Sequence, residues 1–192
     1  MSDITIFGTG NMGTAIGDVL TAGGATVTHI NQSSEQPSIT GDIVILAVPY
    51  GALKDIAAKY ADQLAGKIVV EITNPLNFET FDSLVVADGS SATAELAAAL
   101  PSSRVLKAFN TNFAATLTGG KVGPNETTVL IAGDDAEAKA ALSAAITAGQ
   151  AIDAVDAGSL ARAHELEALG FLQLTLAASE KVAWTGGFAV VR

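Results

Sequence analysis

The 192-residue chain contains no cysteine, which excludes disulfides, thiolate nucleophiles and cysteine-held metal sites. Histidine is almost as scarce: His29 and His164 are the only two. No Ser-His-Asp, Tyr-x-x-x-Lys or metal-ligand spacing occurs, so neither a hydrolytic triad nor a metal site is expected. Charge is sparse and one-sided. Ten Lys and Arg face twenty Asp and Glu, for a formal net charge of -10. No basic run breaks that balance, so nucleic acid and anionic membrane surfaces are excluded as partners. Apolar stretches of membrane-spanning length are missing too, since Glu, Gln, Lys or Arg interrupts each one. What the chain has instead is 49% hydrophobic residues, enough for a substantial core. Met1-Ser2-Asp3 leads straight into an apolar strand, leaving no room for a signal peptide. With the absent cysteines, this makes a soluble cytoplasmic protein the expectation.

The most informative segment comes first. Ile4-Thr5-Ile6-Phe7 reads as a short strand running into Gly8-Thr9-Gly10-Asn11-Met12-Gly13 and then into a helical pattern from Thr14 to Leu20. That is G-x-G-x-x-G in the strand–turn–helix context that dinucleotide binding requires. Gly8 permits the tight turn, Gly10 lets backbone approach a pyrophosphate, and Gly13 lets helix and strand pack closely. The helix N-terminus then turns unpaired N–H groups toward the phosphates.

Apolar β-branched runs alternate with Ala/Leu-rich helical stretches along the rest of the chain. This predicts an α/β fold: a Rossmann-type, doubly wound parallel sheet covered on both faces. Strands are predicted at 3–7, 26–30, 43–47, 67–72, 104–108, 127–132 and 151–155. Helices are predicted at 11–22, 50–64, 91–99, 135–148 and about 159–180. Residues 1–155 then form the nucleotide-binding domain and 156–192 a C-terminal helical extension. Asp134-Asp135 is placed to cap the fourth helix, and Gly23-Gly24 to close the first. The dozen residues between strands two and three, with Pro37 among them, are too few for a helix with its loops. A bare loop is expected beside the adenosine.

Three strand ends carry polar tips at the carboxyl edge, where open α/β sheets bind ligands. Ala47-Val48-Pro49-Tyr50 follows the third strand, with Tyr50 either covering a ribose or base or packing the turn. Thr73-Asn74-Pro75 follows the fourth, where the proline holds Asn74 extended. Ala108-Phe109-Asn110 follows the fifth, with Asn110 a candidate contact for a nicotinamide or its acceptor. After strand two, Asn31-Gln32-Ser33-Ser34 offers amides and hydroxyls and no acid before Glu35. A carboxylate there would hydrogen-bond the ribose of NAD and repel a 2′-phosphate. Its absence favours NADP, with NAD as the alternative. No Arg stands nearby to clamp that phosphate.

Acid–base residues are few. His29 falls beside the adenosine, and His164 lies on the long C-terminal helix. An alcohol dehydrogenase needs a group to take the hydroxyl proton. Hydride transfer to a flavin-like ring needs mainly the orientation of two rings. The shortage therefore leans toward a flavin-type acceptor and no assigned catalytic residue, although Lys107 and Lys181 remain candidate acids.

These segments together resemble the family of NADP oxidoreductases dependent on coenzyme F420. The resemblance is carried by residues 6–13, Leu46-Ala47-Val48-Pro49-Tyr50, Thr73-Asn74-Pro75-Leu76, Val105 to Thr111, and Ala157 to Arg162. It implies hydride exchange between NADP(H) and a deazaflavin at the carboxyl edge. By that resemblance residues 9–12 lie along the pyrophosphate and Val48-Pro49-Tyr50 along the adenosine. Thr73-Asn74-Pro75 and Ala108-Phe109-Asn110 lie near the nicotinamide. Gln32 stands where the family usually carries Arg.

Two other readings remain open at this stage. One is a dinucleotide-binding redox sensor without turnover; the other is a reductase of a small hydroxy acid or imine. The helix over 159–180, with Leu160, Leu166, Leu169, Leu172, Leu174 and Leu176, offers more apolar surface than one sheet edge covers. With Phe171 and Val182-Ala183-Trp184, it predicts a homodimer.

Overall fold

The computed structural model describes residues 2–31, 37–149 and 152–192. Its strands are β1 (Asp3–Phe7), β2 (Thr26–Ile30), β3 (Ile43–Leu46), β4 (Ile68–Glu71), β5 (Arg104–Lys107), β6 (Lys121–Val122), β7 (Asn125–Ala132) and β8 (Ile152–Gly158). The helices are α1 (Asn11–Ala22), α2 (Leu53–Leu64), α3 (Ala92–Ala99), α4 (Ala114–Gly119), α5 (Ala136–Thr147) and α6 (Ala163–Ala178). The sheet order is β2-β1-β3-β4-β5-β7-β6, with β8 paired to β7. This is the doubly wound α/β architecture expected, with the order reversing beside β1.

Alternation along the strands assigns the two faces. Ile4, Ile6, Ile43, Ile45, Val70 and Leu106 point into one core with Ile16 and Leu20 of α1 and Leu142 and Ile146 of α5. Phe7, Val44, Leu46, Val69 and Val105 point into the other, against Leu53, Ala57 and Leu64 of α2 and Leu96 of α3. Successive residues of a strand face opposite ways, so a strand apolar at every position must be covered on both sides.

The sheet departs from the expectation at its far edge. β2, β1, β3, β4 and β5 are all parallel, but β7 meets β5 antiparallel through the single pair Lys107–Ala132. The chain leaves β5, forms the short helix α4, and reverses through β6 and the Gly123 turn (φ 58°) into β7. Neither α4 nor β6 was predicted. The predicted helices over 50–64 and 159–180 each begin with a tight 3-10 turn, Tyr50–Ala52 and Leu160–Arg162. Asp135 caps α5 by accepting from Ala138 N at 2.8 Å. At the end of α1 the left-handed residue is Gly24 (φ 86°) rather than Gly23.

Between β2 and β3 the described residues, Asn31 and 37–42, form no helix or strand. Gly41 crosses so close to β1 that a Cβ there would lie 2.7 Å from Thr5 N. Among the described residues no helix is long and apolar enough to cross a membrane.

Candidate functional site

The glycine turn is dictated by backbone contact. Gly8 adopts φ 113°, and a Cβ on it would lie 2.1 Å from the Ala47 carbonyl oxygen. A Cβ on Gly13 would lie 2.6 Å from the Gly8 carbonyl oxygen. Only glycine fits either place. Gly10 differs: a Cβ there would meet nothing within 4 Å, so its freedom serves space in the cleft rather than packing. It is the N-cap of α1 and supplies no side-chain bond to the first turn. The opening N–H groups of α1 therefore have no side-chain cap, and an anion there would complete them. His29 closes the turn from behind, with its Nδ1 donating to the Gly8 carbonyl at 2.9 Å.

In front of this turn lies a cleft of about 700 Å³. Gly8, Thr9 and Gly10 form its floor, Ile30 and Asn31 one end, and Ala47, Val48 and Pro49 a wall. Asp55, Ile56, Lys59 and Tyr60 of α2 close the far side, residues the sequence did not suggest. Tyr60 stacks edge-on against Phe7 with ring centroids 5.3 Å apart. Gln32, Ser33 and Ser34, expected to contact the adenosine ribose, lie outside the described residues.

A second cavity of about 440 Å³ opens on the other side of the α1 N-terminus. Asn11, Met12, Asn74 and Asn110 line it, joined by Ile72, Asn112 and Phe113 and by Gln173, Leu174 and Trp184 from the C-terminal segment. Trp184 covers Phe113 with ring centroids 5.0 Å apart. The strand tips are locked together. Asn74 Nδ2 donates to the Asn110 carbonyl at 2.7 Å, and Asn110 Nδ2 donates to Asn74 Oδ1 at 2.8 Å and to the Leu166 carbonyl at 2.8 Å. Phe109, between Ala108 and Asn110, holds φ 62° with its ring fully buried, a strained conformation for a bulky residue. Three buried oxygens at this cavity, Asn110 Oδ1, Asn112 Oδ1 and Gln173 Oε1, have no hydrogen-bond partner. Buried acceptors are normally paired, and these three are exceptions among the described residues.

Under the strand tips lies a charged cluster. Lys107 Nζ is 2.6 Å from Glu71 Oε2 and 2.9 Å from Glu167 Oε1, and it also donates to the Thr73 carbonyl. All three side chains are fully buried. Glu71 also accepts from the Thr73 N–H and from Thr93 Oγ1. Glu167 accepts from Ala92 N, the first N–H of α3, at 2.9 Å. Burial pushes the Glu167 carboxyl above its ordinary value, against the opposing pull of Lys107. Lys107, a candidate acid in the sequence, is thus engaged by three acceptors below the site.

Other expected residues fall elsewhere. Ala108 is part of the core, and Thr73 and Pro75 are buried. Thr73 Oγ1 has no partner. Tyr50 lines neither cavity just described. Its hydroxyl donates to Glu95 Oε2 at 2.6 Å, which pushes its pKa up to about 12. It borders a separate groove between α2 and α3. His164 Nδ1 donates to the Ser90 carbonyl at 2.9 Å.

Fold and sheet order together define a protein of the Rossmann class. Residues 28–75 match the model of the family described as NADP oxidoreductase, coenzyme F420-dependent, and the chain's resemblance to that family is thereby shown. The F420-dependent NADP reductase of Methanocaldococcus jannaschii is 29% identical over 174 residues, 88% of this chain and 77% of that one. The metalloreductase STEAP3 of Rattus norvegicus is 34% identical over 135 residues; the match takes in 70% of this chain but spans only 26% of that protein. A solved structure from Arthrobacter sp. FB24, a candidate F420-dependent NADP reductase, superposes with a TM-score of 0.85 over 100% of both chains at 23% identity, which bears on the fold.

Proposed function

We propose that this chain is an NADP(H)-dependent oxidoreductase that passes hydride between the nicotinamide and a flavin or deazaflavin. The observation that carries the reading is the lining of the 440 Å³ cavity. Its described residues are amides, aliphatic groups and aromatic rings, with no ionisable side chain among them. An alcohol or imine substrate needs a proton donor or acceptor at the reacting centre. Two aromatic rings exchanging hydride need alignment and exclusion of water, and such a lining suits them.

The residues present fit the cofactor. The open space over Gly10 and the uncapped start of α1 suit a pyrophosphate. The unpaired amide oxygens of Asn110, Asn112 and Gln173 suit ring substituents that donate. NADPH, when bound, supplies the hydride. Asn74 and Asn110, bonded to each other, would hold the strand tips beside its ring, and Trp184 and Leu174 would line the same cavity from the C-terminal segment.

A homodimer across the outward face of α6 belongs to the same proposal. Leu172 is 51% exposed there, with Leu169 and Leu176 half-buried beside it. A cytoplasmic setting rests on the acidic, cysteine-free composition.

The test is oxidation of NADPH, followed at 340 nm, with riboflavin, FMN and an 8-hydroxy-5-deazaflavin offered in turn. Turnover with one of these rings is the expected result. Tight NADPH binding with no turnover on any ring would leave the redox-sensor reading standing in its place.

A further inference from the structure

A phosphorylated dinucleotide is a polyanion, and this chain carries a formal charge of -10. Local cations must therefore offset the repulsion at the cleft. The uncapped start of α1 serves the pyrophosphate. No cation after β2 is available to a 2′-phosphate, because the segment from Asn31 to Gly41 contains no Lys or Arg.

The ten cations can be followed one by one. Lys67 and Arg104 hold backbone carbonyls, and Lys107 lies in the buried cluster. Lys139, Arg162 and Arg192 are each paired with a carboxylate. Of the remaining four, Lys121 lies on β6, Lys181 follows α6, and Lys54 borders the groove between α2 and α3. Lys59 alone lines the dinucleotide cleft, where Asn31 forms one end and Tyr60 the adjoining wall. Its ammonium stands 5.1 Å over the Tyr60 ring centroid, and that ring is braced edge-on by Phe7. No ion pair of Lys59 occurs among the described residues. Asp55, one helical turn earlier, is the only acid on the same lining among the described residues.

We infer that Lys59 is the specificity-determining residue for the 2′-phosphate of NADP(H), a charge supplied from α2 in place of an arginine after β2. The inference rests on the proposed function. An ammonium is a point charge that binds phosphate without a fixed fork geometry, which suits a flexible side chain on a helix flank.

The test is calorimetric titration of the full chain and its Lys59→Ala and Lys59→Arg variants with NADPH and NADH. Adenosine 2′,5′-bisphosphate and AMP serve as ring-free probes of the same phosphate. Loss of one charge-assisted contact lowers affinity by about tenfold or more. Lys59→Ala is expected to show that loss for NADPH and the bisphosphate while NADH and AMP keep their affinity, and Lys59→Arg to restore the difference. Lys59 is exposed on α2, so both variants are expected to keep the wild-type melting midpoint. Equal losses for all four ligands, or no loss for any, would overturn the assignment while leaving the dinucleotide site intact. Wild-type protein that binds neither NADPH nor NADH would remove the proposed function itself, and this assignment with it.

Discussion

Gly170 has no side chain because Asn74 occupies the place one would take: a Cβ on Gly170 would lie 2.2 Å from Asn74 Oδ1. A helix interior position that would ordinarily favour alanine is thus given up to a strand-tip amide 96 residues earlier. That amide is in turn bonded to Asn110. The C-terminal helix is therefore a wall of the site.

The two cradle glycines separate stability from binding. Gly8→Ala forces a Cβ into the Ala47 carbonyl at a positive φ. It is expected to destabilise the fold by about 1–3 kcal/mol. Gly10→Ala meets no neighbour and is expected to cost at most about 1 kcal/mol, from the poorer N-cap. Its methyl group projects into space the pyrophosphate needs, so nucleotide affinity falls. Chemical denaturation of both variants, set beside NADPH titration, checks the pair; a Gly10→Ala protein that binds normally would refute it.

Removing the ammonium of the buried cluster strands two carboxylates. Lys107→Met leaves Glu71 and Glu167 buried side by side, and a broken buried pair costs about 3–5 kcal/mol. A urea midpoint close to that of wild type would contradict this.

Glu167 gives the cluster a pH signature. An acid whose folded pKa stands above its unfolded value holds its proton more tightly in the folded chain. The stability this confers is fully present below the ordinary value of 4.5, and it is lost as the pH climbs through the raised value. Glu167→Gln cannot ionise and still offers an acceptor to Ala92 N. The difference in melting midpoint between variant and wild type should therefore shift in the variant's favour as the pH rises from 4.5. A difference that stays flat, or moves the other way, would count against a raised Glu167.

Gln173 is expected to trade stability for binding. Its Oε1 is buried without a partner, and an unsatisfied acceptor costs about 1–3 kcal/mol. Gln173→Leu keeps the volume and removes that cost, so the ligand-free protein should melt higher. On the proposed reading the nicotinamide should then bind less tightly, raising the KM for NADPH. A variant that melts lower and turns over unchanged would show that Gln173 only packs.

Much of the fold was legible because its signals are local. Every strand of the parallel run is announced by apolar positions of both parities, such as Ile4-Ile6 with Phe7 and Ile43-Ile45 with Val44. The cradle was legible because its glycines lie within six consecutive residues, 8–13. Direction was not, since the residues of β7 look alike run parallel or antiparallel. α4 went unseen because its six residues carry no amphipathic period and its N-cap, Phe113, makes no side-chain bond. The charged cluster spans Glu71 to Glu167, and no spacing rule links such positions. Its one trace was a Glu and a Lys ending strands whose central positions are apolar. Tyr50 was placed by proximity to the strand tip, but the 3-10 turn that follows Pro49 swings it across to Glu95.

The two halves of the site also differ in how much chain must be in place to form them. The floor and walls of the phosphate cleft come from residues 7–60, segments close enough in sequence to meet early, with little loop entropy to overcome. The ring cavity needs Asn11 beside Gln173 and Trp184, and it stays open until α6 docks through Glu167 onto Lys107. On the proposed reading, then, the part that would grip the nucleotide's phosphates is supplied by residues 7–60, whereas the part that would hold its reactive ring is completed only by α6 and the segment after it.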